Sequence, residues 1–373
     1  MDRPVHGGNL AWAAGLARCS PRELLDFSAS ISPLGPPASV QQAVQAAFSC
    51  VVNYPDTAYT SLREAIAFHH SISAACVLPG NGAADLLTWA ARDLAALPGP
   101  TFQLTPGFSD YARALSAFEG NWVEIPLLRS GGWQFEKWDA DLPTGSIPTD
   151  QSLDQCGLLL NNPHNPTGML FAKEQVRSLL SKFAWVVVDE AFMDFLPPEQ
   201  AQSVIDLVAY FPNLVVLRSL TKFYSMPGIR LGYAIAQPAV LKRWNRWRDP
   251  WSVNTFASAA GVAALQDTAF QKQTWQWLAA ENAYLYQGLS KLPGLKPLTS
   301  CVNFFLASCQ VSATTLQRQL LQRHKIYIRD CMSFAQLGDR YFRVAVKSRE
   351  HNQRLLAALA DTLPQLIEVA HAS

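Results

Sequence analysis

Little in this chain points to disulfides, to a membrane or to a polyanion. The 7 cysteines are scattered, odd in number and without a C-x-x-C pair. That pattern predicts reduced thiols in a cytoplasmic protein, and no metal site is expected. No stretch of about 18 uncharged apolar residues occurs, so no membrane helix is expected. The start, Met1 to Asn9, lacks the apolar core of a signal peptide. Lys and Arg total 30 against 29 Asp and Glu, a net charge of +1. Such a balance offers no basic field for nucleic acid and no acidic field for cationic partners. What the chain does have is length and apolar content: 373 residues, 49% of them hydrophobic. That suffices for a full core and two domains.

The order of patterns predicts an α/β fold. Short apolar runs, Phe102–Leu104, Gly157–Leu160, Trp185–Val188 and Leu214–Leu217, alternate with helical stretches from about residue 38. Strands alternating with helices imply a mostly parallel sheet covered on both faces. Residues 270–292 read as a long helix leading to a smaller α+β unit, with strands at Val302–Leu306, Ile326–Arg329 and Tyr341–Val346. We therefore expect an arm over 1–37, read as irregular, a large domain over 38–269 and a small domain over 270–373.

Polar residues cluster just past the apolar runs, where ligands bind in parallel sheets. Lys222 lies in Ser219-Leu220-Thr221-Lys222, with Arg230 eight residues on. Asp189 closes the run Trp185-Val186-Val187-Val188. A carboxylate there is costly unless paired. An amine, a buried carboxylate and a set of phosphate donors are what pyridoxal phosphate requires. Lysine can form a Schiff base, the carboxylate can keep a ring nitrogen protonated, and hydroxyls with a guanidinium can hold phosphate. Pro79-Gly80-Asn81-Gly82-Ala83 opens a helix, a turn that suits an anion or simply a helix start. The doubled Asn-Pro loop 162–166 fits an ordinary turn or, as the repetition favours, a rigid loop that aims Asn165 at a ligand oxygen. Phe108 fits either an aromatic stack or the core. Arg343 sits inside a strand pattern, where it needs a partner such as a substrate carboxylate. Arg329 and Asp330 fit either an anion site or a plain ion pair. The tryptophans 244, 247 and 251 are read as a helix end packing its aromatics.

Taken together these motifs resemble the fold-type I, aspartate-aminotransferase-like enzymes that use pyridoxal phosphate, in their class I/II branch. The resemblance spans the chain. Two groups within it stand closest: threonine-phosphate decarboxylases of cobalamin synthesis, through His6-Gly7-Gly8-Asn9, Asp189-Glu190-Ala191-Phe192 and Ile328-Arg329-Asp330-Cys331, and next histidinol-phosphate aminotransferases. It implies a large domain with a mostly parallel sheet and a small α+β domain. It implies that Lys222 carries the cofactor aldehyde, that Asp189 pairs with the ring nitrogen, that Asn165 bonds the ring 3-oxygen and that Phe108 stacks on the ring. Gly82, Ala83, Ser219, Thr221 and Arg230 would cradle the phosphate, with Tyr54 reaching it from a second subunit of a homodimer. Arg343 would hold a substrate carboxylate. Arg329 and His6 would hold the phosphate of a phosphorylated amino acid or amino alcohol, although His6 equally fits a polar arm residue. Two departures stand out. Phe192 occupies a position where many aminotransferases have tyrosine, and Ser30 and Ser32 stand where the decarboxylases tend to carry asparagine. The activity implied is decarboxylation of L-threonine O-3-phosphate, with transamination as the alternative.

Overall fold

The computed structural model describes residues 3–129, 132–133 and 152–372. Its main sheet has seven strands. In spatial order they are Val77–Gly80, Gly232–Ala236, Leu214–Ser219, Trp185–Asp189, Gly157–Asn161, Thr101–Thr105 and Trp122–Pro126. From Leu214–Ser219 to Trp122–Pro126 all neighbours are parallel. Gly232–Ala236 alone runs antiparallel to both of its neighbours. The mostly parallel sheet expected from the apolar runs is present, and each of those runs lies in it.

Unbroken apolar runs follow from burial on both faces. Val186 and Val188 join one cluster with Phe102, Leu158 and Leu160. Val187 points the other way, into a second cluster with Leu159, Val215 and Trp244. Burying each such valine or leucine contributes roughly 1.5–3 kcal/mol. Trp244 is fully buried and donates its indole N–H to Asp93, and Trp247 stacks under Arg92. Those two tryptophans pack as the sequence suggested, whereas Trp251 is partly exposed.

The helix Thr268–Ser290 precedes a four-stranded antiparallel sheet. Its order is Leu295–Pro297, Phe304–Cys309, Tyr341–Ala345 and Arg329–Asp330. Two local expectations need correction. The run Ile326–Arg329 is not one strand. Ile326–Tyr327 pairs in parallel with Leu25–Asp26, while Arg329–Asp330 pairs with Tyr341–Ala345. The first 33 residues, expected as an arm or irregular entry, are not irregular throughout. They contain the helix Leu10–Ala17, which buries Ala13 and Ala17 against Leu321 and Tyr327. Apolar side chains too few to form their own core gain burial by docking on a neighbour.

One buried ionic cluster braces the strand ends. Arg218 lies with its Nε 3.0 Å from Glu190 Oε2 and its Nη1 bonded to Asp194. Glu190 also accepts from the Ser203 hydroxyl at 2.7 Å and from the Val204 amide at 2.8 Å. Burial pushes the Glu190 carboxyl up, and Arg218 with these donors holds it back. Removing Glu190 takes one of the two counter-charges from buried Arg218 and leaves the Ser203 hydroxyl and the Val204 amide without their acceptor. Glu190→Ala should therefore lower the unfolding free energy by about 3–5 kcal/mol. Denaturant titration would measure it, and a loss below about 1 kcal/mol, the worth of an exposed pair, would contradict the assignment.

Candidate active site

The strands Gly157–Asn161, Trp185–Asp189 and Leu214–Ser219 end side by side, and their last residues form the floor of a polar cluster. Asp189 is buried. Its Oδ1 accepts the Ala191 amide at 2.9 Å and its Oδ2 accepts the Tyr111 hydroxyl at 2.7 Å. Burial raises the carboxyl pKa, opposed by Tyr111 and by the charge of Lys222. Lys222 shows the mirror behaviour. Burial lowers its amine pKa, Asp189 pulls it up, and Arg230 and Arg343 push it down. The Lys222 Nζ lies 5.0 Å from the centre of the Phe192 ring. Amine and carboxylate thus share one poorly solvated space, each disfavoured as a charge by burial and favoured by the other.

A second group gathers at the start of the helix Ala83–Ala95. Gly82 has φ +81°, and a Cβ there would come within 2.6 Å of the Arg230 Nη2. Arg230 is itself left-handed, at φ 61°. A Cβ on Gly232 would approach the Ala83 amide nitrogen to 2.5 Å, so backbone meets backbone there. The hydroxyls of Ser219 and Thr221 lie 2.7 Å apart, both buried. Gly82, Ala83 and Arg230 thus meet at the helix start, with Ser219, the register partner of Gly232, and Thr221 beside them.

On the other flank Arg343 is buried. It donates from Nη1 to Asn165 Oδ1 and from Nη2 to the Ser28 carbonyl at 3.3 Å, while its Nε is buried without a partner. Burial, chiefly, pulls its pKa down to about 10, so it stays charged at neutral pH. The segment carrying Ser28 crosses the site. Ser32 donates its amide to the Lys222 carbonyl at 3.0 Å, Ser225 donates to the Ser32 carbonyl at 2.7 Å, and Lys347 donates to the Ile31 carbonyl at 3.2 Å. Between them Ser30 is buried with an unpartnered hydroxyl.

The remaining sequence candidates fall in two places. His6 lies against Phe108, ring centres 5.6 Å apart, and burial lowers its pKa. Arg329 donates to the carbonyls of Pro4 and Val5 and to the Ser333 hydroxyl. The plain pairing of Arg329 with Asp330 does not form, because Asp330 is taken by Arg3 at 2.9 Å. Tyr54 stands apart, 80% exposed, its ring 4.7 Å from that of Trp251. Tyr111 and Lys347 had drawn no notice in the sequence. Tyr111 sits three residues after Phe108, one turn along, and its signal was a polar aromatic at the start of a helix beside an expected ring-stacking residue.

Among the described residues no His, Cys, Asp or Glu cluster could hold a metal. The residues suit instead a flat molecule with an anion at one end and a basic ring nitrogen at the other. Arg230 above the Gly82 turn has the chemistry to hold an anion, and the buried Asp189 that to pair with such a nitrogen.

Comparison with known proteins agrees with this layout. The family described as aminotransferase class I and II matches residues 22–359. The chain belongs to this family. It is 40% identical over 364 residues to a threonine-phosphate decarboxylase of Salmonella typhimurium, covering 96% of each chain. It is 33% identical over 347 residues to a histidinol-phosphate aminotransferase of Ralstonia nicotianae, covering 92% of this chain and 89% of the relative. Its fold matches the histidinol-phosphate aminotransferase of Sinorhizobium meliloti in complex with pyridoxal-5'-phosphate, with TM-score 0.84, 23% identity and coverage of 96% and 95%. Membership of this family accounts for the mostly parallel sheet and for polar groups gathered at its carboxyl end.

The electrostatics can be tested without a cofactor. The rate of Lys222 acylation, followed by peptide mass spectrometry, should have its pH midpoint below 10.5, the ordinary lysine value. Asp189→Asn removes the charge that raises that pKa and should move the midpoint lower still. A midpoint at or above 10.5, or an upward move in the variant, would refute the shared low-dielectric site.

Proposed function

We propose that this chain is a pyridoxal-phosphate-dependent decarboxylase of L-threonine O-3-phosphate, yielding aminopropanol phosphate. The observation that carries the choice of substrate is the 40% identity, over 96% of both chains, to a threonine-phosphate decarboxylase. The geometry supports the cofactor. Gly82, Ala83, Ser219, Thr221 and Arg230 would hold its phosphate, Asn165 its ring oxygen, Asp189 its ring nitrogen, and Phe108 one face of the ring. When bound, pyridoxal phosphate supplies a sink for the electron pair left on Cα as CO2 departs. Asp189 would pair with the ring nitrogen, its ionised form favoured by Tyr111 and Lys222 against burial. The Lys222 amine would hold the cofactor through its aldehyde, and its Nζ would carry the proton delivered to the substrate Cα. Arg343, with a free Nε, binds and orients the substrate carboxylate. Arg329 and His6 receive the substrate phosphate, and Arg329 exchanges weak carbonyl partners for a dianion.

The same groups would serve transamination if the Cα–H bond, rather than the carboxylate bond, stood perpendicular to the ring. The 33% identity to a histidinol-phosphate aminotransferase favours that second reading. Phe192 leans toward the decarboxylase.

A homodimer completes the reading. Phe48 is 63% exposed and Val52 84% exposed, beside Val51, Tyr54 and Trp251. They border a groove of about 600 Å³ lined by Ala46, Ala47, Ala259 and Val262. An exposed apolar face of this kind is what a partner subunit covers. Tyr54, without a role in its own site, is then free to reach the phosphate of the other. The 7 cysteines are all free, which supports a reducing, cytoplasmic setting. Among the described residues no helix is long and apolar enough to cross a membrane.

Purified protein loaded with pyridoxal phosphate should release CO2 from threonine phosphate without added 2-oxoglutarate, with aminopropanol phosphate found by mass spectrometry. Lys222→Ala should remove at least a thousandfold of that rate. Turnover only in the presence of 2-oxoglutarate, with glutamate formed, would transfer the assignment to transamination. Separately, the double variant Phe48→Glu, Val52→Glu should shift the particle in light scattering from twice the chain mass to 41.1 kDa. A mass unchanged by those two charges would reject this face as the subunit contact.

A further inference from the structure

We propose that Tyr111 is a positioning residue for the cofactor ring: its hydroxyl, bonded to Asp189 Oδ2, fixes the plane in which that carboxylate meets the ring nitrogen. This inference rests on the reading of Asp189 as the partner of pyridoxal phosphate. An aspartate held by one backbone amide can still pivot about its Cβ–Cγ bond. Asp189 has that one local hold, the Ala191 amide at 2.9 Å on Oδ1. The second hold comes from 78 positions away in the sequence, the Tyr111 hydroxyl at 2.7 Å on Oδ2. With one donor on each oxygen the carboxylate plane is fixed, and each oxygen keeps acceptor capacity for a further proton donor.

Tyr111 is suited to this task in three ways. It is itself fixed, buried beside Leu86, Leu87 and Ala114 in the second apolar cluster. Its ring meets Phe108 edge to face, centres 5.5 Å apart at 87°, so the side chain that flanks the ring and the side chain that sets its nitrogen partner are braced together. Its phenol stays protonated, since burial and then Asp189 push its pKa well above the usual value, and it therefore always donates. The charged groups felt by Asp189 are Lys222, which favours its ionised form, and Asp110, which opposes it. Asp110 is occupied by Arg113. The Tyr111 hydrogen bond is thus the direct side-chain contact that keeps Asp189 ionised in a site where burial works against it.

If Tyr111 acts through Asp189, the two cannot be removed independently. The dissociation constant of pyridoxal phosphate is measured by absorbance titration of the full chain for the wild type, Tyr111→Phe, Asp189→Asn and the double variant. Circular dichroism of the bound cofactor is recorded alongside. Tyr111→Phe should weaken binding about tenfold and reduce the cofactor's dichroic band. The double variant should bind no more weakly than Asp189→Asn alone. Tyr111→His, which returns a ring donor of shorter reach, should recover part of the loss. Should Tyr111→Phe fail to fold, the cycle is completed with Tyr111→Leu, which also lacks the donor, in its place. Wild-type affinity in Tyr111→Phe, or losses that multiply in the double variant, would overturn the positioning role while leaving the cofactor reading intact. A wild type that binds no pyridoxal phosphate would remove the reading and the inference together.

Discussion

The site is governed by the cost of keeping Asp189 and Lys222 charged out of water. Burial alone drives the carboxyl toward its protonated form and the amine toward its free form. Each charge is held in place mainly by the other and by hydrogen bonds to Asp189. Such a pair is poised rather than stable. A molecule bringing a basic ring nitrogen relieves the carboxylate, and one bringing an electrophilic carbon makes use of an amine with lowered basicity. The chemistry of the proposed cofactor is therefore written into the electrostatic tension of the site before anything binds.

The sheet makes that tension possible. Three valines in a row put Asp189 at the end of a strand covered on both faces, and Ser219 ends the next strand in the same plane. Just behind, Glu190 and Arg218 form a second ionic group, closed by Asp194 and Ser203. Neighbouring residues on the same strand ends thus have opposite fates. Glu190 is matched within the chain and braces the fold. Asp189 is left with capacity to spare, which is the physical distinction between a structural carboxylate and one available to a ligand.

Much of this was legible in the sequence, and the gaps have identifiable causes. Strands and helices of the main sheet follow from local apolar runs. Lys222, Asp189 and Asn165 stand at or just past the ends of those runs and Arg230 just before the antiparallel strand Gly232–Ala236, and the sheet gathers them because these strand ends are adjacent. Tyr111 could not be read in this way, since its value lies in one hydrogen bond across 78 residues. The arm was misjudged for a similar reason. Leu10–Ala17 is apolar on nearly every side, so no periodicity marks which face is buried, and that face is set only by contact with Leu321 and Tyr327. Arg329 and Asp330, adjacent in sequence, point to different partners because successive strand residues face opposite ways.

The choice between losing CO2 and losing a proton rests less on Lys222 and Asp189, which serve both, than on what surrounds the substrate. Arg343 is held at once by Asn165 from the main sheet and by the Ser28 carbonyl from the arm. The arm segment is in turn fastened through Lys347 of the small unit and through the backbone of Lys222 itself. The guanidinium that orients the carboxylate is therefore placed jointly by three parts of the chain. A shift of the arm alone would tilt the substrate's bonds relative to the ring. Ser30 lies within that fastened segment with a buried hydroxyl still unengaged. If Arg343 orients the substrate as proposed, reaction choice depends on how arm and small sheet meet the strand ends, and the strand ends themselves supply only the capacity to react.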